Sequence, residues 1–259
     1  MNIMTFNIRC DKISDSENAW QYRKDFASQM IKFYDVDILG TQEVFKNQLQ
    51  DLLERLPDYK FLGIGRSDGK DKGEHSAIFY KYQFFEIEKS GNFWLSETPQ
   101  QPGSKGWDAA CERIVTWAIF KEKKTGNKFV FFNTHFDHIG ELARKESVKL
   151  LKKKIVEIAE HLPVILTGDL NLPPEAEVIK DLLKDDFLLD ARGVSNLVYG
   201  PPWSFHDFGR IPMSNRKLID YILVDKAIKV NKYACICETH NSVYLSDHNP
   251  VLAQLEFVM

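Results

Sequence analysis

Thr167-Gly168-Asp169-Leu170-Asn171 sets a carboxylate and a carboxamide two residues apart behind the apolar run Leu162-Pro163-Val164-Ile165-Leu166. A short apolar run reads as a buried strand, and an extended chain turns residues two apart to the same side. Asp169 would then take a proton or bind a cation while Asn171 donates to an oxyanion. Gly168 is read as letting the backbone turn at the strand's end. On its own such an Asp is as easily a turn residue or a helix cap. Related groups, however, end other apolar runs: Asn7, Glu43, His135, Asp220, and Asp247 with His248. Singly, each has a structural explanation. Together they imply one crevice, because strand ends line the ligand cleft of layered α/β folds.

Ser246-Asp247-His248 is not a serine-hydrolase triad, since neighbours on an extended segment point to opposite faces. His248 needs an acid from elsewhere, and Asp220 is the candidate. Glu43 and Asn7 offer oxygen ligands and no Cys/His cluster offers soft ones, which suits a hard cation such as Mg²⁺. Histidines with Asn171 would stabilise the extra charge of a pentacovalent phosphate.

Strands must position these groups. They are expected over Met1 to Ile8, Asp37 to Glu43, Tyr59 to Ile64, His75 to Tyr80, Phe84 to Leu95, Glu112 to Glu122, Lys128 to Thr134, Ile219 to Val224, Lys229 to Glu238 and Pro250 to Val258. Helical spacing runs from Ala19 to Tyr34, Asn47 to Leu56 and Glu141 to His161, and Pro173-Pro174 should start a helix at Glu175. Ser96 to Ala110 is a long Pro/Gly loop, and Ala191 to Leu218 reads as irregular. Early interleaving of helices and strands, followed by hairpins, implies a mixed sheet or two packed sheets covered by helices. No repeat or linker divides residues 1–259, so one domain is expected.

Composition narrows the class. With 44% hydrophobic and 27% charged residues the chain is globular, and no apolar run approaches a membrane span. A net charge of −3 and a pI near 6.2 argue against a high-affinity binder of long polyanions. The first residues read as a strand rather than a leader, so the expected setting is cytoplasmic, or secreted or periplasmic if a signal peptide has been removed. A monomer without stable membrane association is expected. Cys10, Cys111, Cys235 and Cys237 complete no zinc site and are read as buried or half-buried thiols.

In order along the chain, Asn7, Gln42-Glu43, Asn133-Thr134-His135, Gly168-Asp169-Leu170-Asn171, Ile219-Asp220-Tyr221 and Ser246-Asp247-His248 resemble the endonuclease/exonuclease/phosphatase superfamily, also called deoxyribonuclease I-like. Phe136-Asp137-His138 with Ala143-Arg144, and Phe93-Trp94-Leu95-Ser96 with Cys111-Glu112-Arg113-Ile114-Val115-Thr116-Trp117, are similar to a bacterial branch akin to the carbon-catabolite-repressor deadenylases. The resemblance implies a four-layer α/β sandwich with two central mixed β-sheets flanked by helices. It also implies Mg²⁺- or Mn²⁺-dependent hydrolysis of a phosphodiester or phosphomonoester. In that frame Glu43 is the main metal ligand, with Asn7 beside it and Asp247 in support. Asp169 positions or deprotonates the water, Asn171 and His135 hold phosphate oxygens, and His248, oriented by Asp220, binds phosphate or acts as base. Arg9 stands where the abasic-site endonucleases carry an acid, which makes DNA repair a poorer fit.

Arg113 and Arg144 are candidate phosphate clamps, His138 can face the same cleft, and Phe205 or Trp203 could stack on a base or cover a sugar. Glu74 is a candidate for a substrate hydroxyl. Phe93-Trp94-Leu95 is better read as core than as a membrane anchor. The readings left open are a 3′–5′ exonuclease on single-stranded nucleic acid, a phospholipid or sugar-phosphate hydrolase, and a non-catalytic scaffold.

Overall fold

A computed structural model describes residues 1–258. The chain runs through β1 (Asn2–Asn7), α1 (Trp20–Phe33), β2 (Ile38–Gln42), α2 (Lys46–Arg55), β3 (Tyr59–Leu62), β4 (Ile78–Lys81), β5 (Phe85–Trp94), β6 (Ile114–Glu122), β7 (Lys128–His135) and α3 (Glu141–Ala159). It continues through β8 (Val164–Asp169), α4 (Glu177–Leu183), β9 (Leu189–Asp190), α5 (Ala191–Val194), β10 (Val198–Tyr199), β11 (Asp220–Val224), β12 (Ile228–Cys235), β13 (Thr239–His240), β14 (Val243–Tyr244) and β15 (Val251–Phe257). Seven strands form one sheet in the order β10-β12-β15-β1-β2-β4-β3, and six form another in the order β5-β6-β7-β8-β11-β9. Both are mixed. β1–β2 and β7–β8 are parallel pairs, and α1 and α3 supply the crossovers that parallel strands need.

Strand alternation sorts the side chains into layers. Ile3, Ile38, Phe131, Ile165 and Ile222 point between the sheets and build a core rich in phenylalanine. Their neighbours Met4, Phe6 and Leu39 point outward against Trp20, Ile31 and Leu52. On the far side, Phe132, Leu166 and Leu223 meet Val148, Leu151 and Ile155 of α3. Helix, sheet, sheet and helix therefore stack as the resemblance implies. Each fully buried aliphatic side chain on these faces contributes about 1.5–3 kcal/mol.

The inter-sheet face changes chemistry along its length. The series Ile3–Thr5–Asn7, Ile38–Gly40–Gln42, Phe131–Asn133–His135 and Ile165–Thr167–Asp169 each pass from apolar to polar toward the same end, while every member stays buried. Between the two zones lies a buried amide network. Gln42 donates to Asn133 Oδ1 (2.7 Å) and Thr5 Oγ1 (3.1 Å), and Asn133 donates to the Thr41 (2.8 Å) and Ala77 (3.0 Å) carbonyls. Gly40 makes room for it, since a Cβ there would come within 2.6 Å of Asn133 Oδ1.

Several expectations change. Gly168 is not at a turn but inside β8, where a Cβ would sit 2.5 Å from the Thr134 carbonyl, so its role is close strand packing. α4 begins at Glu177 rather than Glu175, because Pro173-Pro174 initiates a turn before the helix. The stretch from Ala191 to Leu218 carries α5 and β10 within its irregular path. Cys237 is exposed, since β12 ends at Cys235 and the pleat no longer directs it inward. Among the described residues no helix is long and apolar enough to cross a membrane.

Candidate active site

Sheet register assembles the site. His135 pairs with Asp169 across β7 and β8, and Asp169 pairs with Asp220 across β8 and β11, so three polar side chains stand abreast on one face. Asn7 stands opposite them at the end of β1 in the other sheet and donates to Asp169 Oδ2 (2.9 Å) and Glu43 Oε1 (3.1 Å). Glu43 reaches this position through a left-handed backbone (φ 61°) just beyond β2, which turns it off the strand's outward alternation. A non-glycine residue in that region is uncommon and marks an over-determined site.

Two carboxylates directly opposite on adjacent strands repel. His248 answers that repulsion from the loop before β15. Its Nδ1 lies 2.8 Å from Asp220 Oδ2 and its Nε2 lies 3.8 Å from Asp169 Oδ2. Burial alone would drive the imidazole toward neutrality, but the charges of Asp220 and Asp169 outweigh it and push His248 up to about 10. Burial and the Asp220 charge push Asp169 up to about 7, against the pull of His248 and Asn7. His135 goes the other way: burial and the nearby Arg113 hold it well below its ordinary value, so it is neutral.

Asn171 meets this group by a different route from the one its spacing suggested. Its backbone is left-handed (φ 53°), and its N–H donates to Asp169 Oδ1 (3.0 Å), closing a turn. Its Nδ2 faces His135 Nε2 (3.0 Å) and donates to the Phe136 carbonyl (2.9 Å). A turn, not a pleat, brings the two side chains together.

The cleft above these residues has a volume of about 440 Å³. Glu43, His135, Asp169, Asn171, Asp247, His248, Arg113, His138, Phe205 and Glu74 all line it. Phe205 packs on the His248 ring with centroids 4.8 Å apart. Arg113 is buried, holds Asp137 Oδ2 at 3.4 Å and His138 Nδ1 at 3.0 Å, and leaves Nη1 without a partner. Arg144 does not line the cleft: it donates to the Asp137 carbonyl (3.0 Å), because the first turn of α3 aims it back at the β7–α3 connection. Trp203 is likewise buried outside the cleft, beneath Arg216 at 4.4 Å. A larger groove of about 920 Å³ beside α1, lined by Ile13, Tyr22 and Phe26, contains none of these polar groups.

The donors fit a hard divalent cation. Glu43 is kept charged: burial opposes this, but His248, Asn7 and Arg9 together prevail and hold its carboxyl below the usual range. Asp247 lies in the same corner, 3.4 Å from the Arg9 guanidinium that also stands 4.0 Å from Glu43. Asn7 Oδ1 accepts from the Arg9 N–H (3.0 Å), so its amino group rather than its oxygen faces the carboxylates. Cys10 also lines the cleft, but burial and the Glu43 charge push its thiol up to about 12, so no thiolate competes for the ion. Two further trios could geometrically hold a metal. In one, the Asp220–His248 hydrogen bond already uses the atoms concerned. In the other, Asp137 is saturated by the N–H groups of Ala110, Cys111, Ile139 and Gly140.

Sequence reasoning missed Arg66, which lines the cleft and pairs with Glu74 at 2.6 Å, and gave no role to Asp137 or Asp15. Arg66 lies in a Gly-rich charged loop whose path no periodicity encodes. Asp137 carried the one available signal, a lone acid just before a helix start.

Two face-to-face mixed sheets between helix layers, with acids, amides and histidines gathered where the strands end, define a deoxyribonuclease I-like sandwich. The chain belongs to the endonuclease/exonuclease/phosphatase family, whose model matches residues 4–248. It is similar to an endonuclease/exonuclease/phosphatase from Bacteroides vulgatus, with 45% identity, a TM-score of 0.96 and coverage of 99% of this chain and 98% of that one. It is also similar to a Bacteroides thetaiotaomicron mannosyl-6-phosphatase, with 40% identity, a TM-score of 0.94 and coverage of 99% and 100%. The CCR4-Not complex 3′-5′-exoribonuclease subunit Ccr4 of Mycosarcoma maydis is 24% identical over 87% of this chain and 44% of its own length. The chain spans less than two thirds of the first curated relatives it matches. Members of this family are phosphoester hydrolases.

Proposed function

We propose that this protein is a Mg²⁺- or Mn²⁺-dependent phosphoester hydrolase that acts on a phosphomonoester of a small polar alcohol such as a sugar. The observation that carries the reading is His248 wedged between Asp169 and Asp220, at 3.8 and 2.8 Å, on the floor of a cleft lined by acids, histidines and arginines. Glu43 and Asp247 would hold the ion, with Asn7 as the bridge that fixes Glu43 against Asp169. When bound, such an ion neutralises phosphate charge and makes phosphorus more electrophilic.

The chain's own groups divide the remaining work. Asp169, whose proton affinity is raised toward neutrality, takes the proton of the attacking water as the ester P–O bond breaks in line, and the departing alkoxide takes a proton from solvent to leave as the free alcohol. His248 keeps its proton and donates to a phosphate oxygen as charge builds there. Asn171 holds the neutral His135 and the turn that aims Asp169. Arg113, with Nη1 free of protein partners, supplies the further cation that a dianionic phosphate requires. The 40% identity to a mannosyl-6-phosphatase across the full chain supports a monoester.

A second reading, a 3′–5′ exonuclease on single-stranded nucleic acid, draws on the Ccr4 likeness and on Phe205, a stacking surface beside His248. One panel separates them: sugar phosphates, nucleotides, bis-p-nitrophenyl phosphate and oligonucleotides, each with Mg²⁺ and Mn²⁺. Sugar phosphates should be the best substrates, and Asp169→Ala should lower kcat by about 10²–10⁴. Faster turnover of oligonucleotides would favour the second reading. No turnover of any phosphoester, or full activity in Asp169→Ala, would overturn both.

A further inference from the structure

Arg9 is held with unusual firmness for a residue on a loop. Its backbone is left-handed (φ 58°), a conformation that costs a non-glycine residue about 1 kcal/mol or more and persists only where its surroundings enforce it. Here they do so from both sides. The Arg9 N–H donates to Asn7 Oδ1 (3.0 Å), and its carbonyl accepts from Gln48 Nε2 (2.8 Å) and Arg23 Nη2 (3.3 Å). Arg23 is itself fully buried and ties the Ile8 and Leu245 carbonyls to the same point, both at 2.8 Å. The guanidinium is then aimed by Asp15, a buried acid that takes Nε at 3.1 Å and Nη2 at 3.3 Å. What remains is Nη1, and it faces Asp247 Oδ2 (3.4 Å) and Glu43 Oε2 (4.0 Å).

Those are the two carboxylates assigned above to the divalent ion. We infer that Arg9 is a built-in counter-cation that shares Glu43 and Asp247 with that ion, limiting the pair to one divalent cation bound at reduced affinity. Four acids meet at this end of the sandwich: Glu43, Asp169, Asp220 and Asp247. His248 serves the Asp169–Asp220 pair. Arg9 serves the Glu43–Asp247 pair in the same way, as a fixed charge that needs no ion from solution. A guanidinium is suited to the task because it stays protonated at any pH the protein meets, and its planar fork lets Asp15 fix two nitrogens while the third points elsewhere. Asp15 is therefore a positioning residue for Arg9.

The inference rests on the reading that Glu43 and Asp247 take a divalent ion, so its test reads binding and not turnover. Isothermal calorimetry with Mn²⁺ on the wild-type chain should give one ion per chain. Arg9→Gln should bind that ion about tenfold tighter or take up a second, because a positive charge roughly 4 Å from the ligand oxygens has been removed. Asp15→Asn, which loosens the guanidinium without removing it, should fall between the two. A thermal melt of each variant shows that it is folded. Isotherms for Arg9→Gln and wild type that agree within twofold in affinity, with equal stoichiometry, would overturn the inference and make Arg9 a substrate clamp or a structural residue. Two ions bound by the wild type would overturn it as well. An absence of Mn²⁺ binding in every variant would instead overturn the metal reading beneath it.

Discussion

His248 is the residue whose state decides most. It is surrounded by carboxylates, and the sign of the linkage follows from that. Its folded pKa, about 10, lies above the ordinary value near 6.5, so its contribution to stability is complete below about pH 6.5 and is lost as pH rises through about 10. Asp220→Asn removes the charge that does most to raise it. In metal-free protein, the His248 ring signals followed by NMR should titrate at clearly lower pH in Asp220→Asn than in wild type. The decline of wild-type melting temperature between pH 7 and 10 should flatten in the variant. An unchanged titration would mean that Asp220 does not hold the imidazolium. The residues of this central group were legible because acids, amides and histidines are rarely stranded behind apolar runs without cause. Asp15 and Arg66 were not, since a charged residue in a polar loop looks the same whether it aims a catalytic group or faces water.

At the scale of elements, the turn between β7 and α3 does the positioning that the strands cannot. Asp137 gathers four backbone N–H groups, two from Ile139 and Gly140 ahead of α3 and two from Ala110 and Cys111 at the end of the long loop, and it anchors Arg113. Burial would raise its carboxyl, but those N–H groups and Arg113 pull it far below the usual range. A depressed pKa means stability that is present above about pH 4 and lost as pH falls toward the folded value. Asp137→Asn keeps the shape but turns an amide NH₂ toward donors. It should cost about 1–3 kcal/mol in urea unfolding at pH 7, shrink to less at pH 3, and raise KM more than it lowers kcat because Arg113 loses its anchor. Equal stability at pH 7 would refute the capping role. The strands and helices of this region were readable from periodicity, with ends shifted by a residue or two. The convergence of Asp169 and Asn171 was readable for the wrong reason: a pleat was expected where a left-handed residue closes a turn. Periodicity reports regular backbone, and functional side chains often sit on the residue where regularity stops.

For the whole molecule, the sandwich sets apolar cohesion at one end of the inter-sheet face against electrostatic strain at the other. The amide network of Gln42 and Asn133 divides the two zones, so the sheets stay in register while their ends hold groups that repel one another. A cation entering that end should therefore stabilise the fold and not only the reaction. A ligand that binds only the native state adds RT ln(1 + [L]/Kd), about 2.7 kcal/mol at one hundred times Kd. At roughly 2–4 °C per kcal/mol for a chain of this size, saturating Mg²⁺ should raise the melting temperature by about 5–10 °C, and EDTA should reverse the rise. The same ionic strength from sodium sulfate controls for screening of surface charge, which is weak for buried pairs. Glu43→Gln should lose the Mg²⁺-dependent increment and keep its response to sulfate. If wild type and Glu43→Gln respond alike to Mg²⁺, the ion acts elsewhere, and the acids at the strand ends must be balanced by Arg9 and His248 alone.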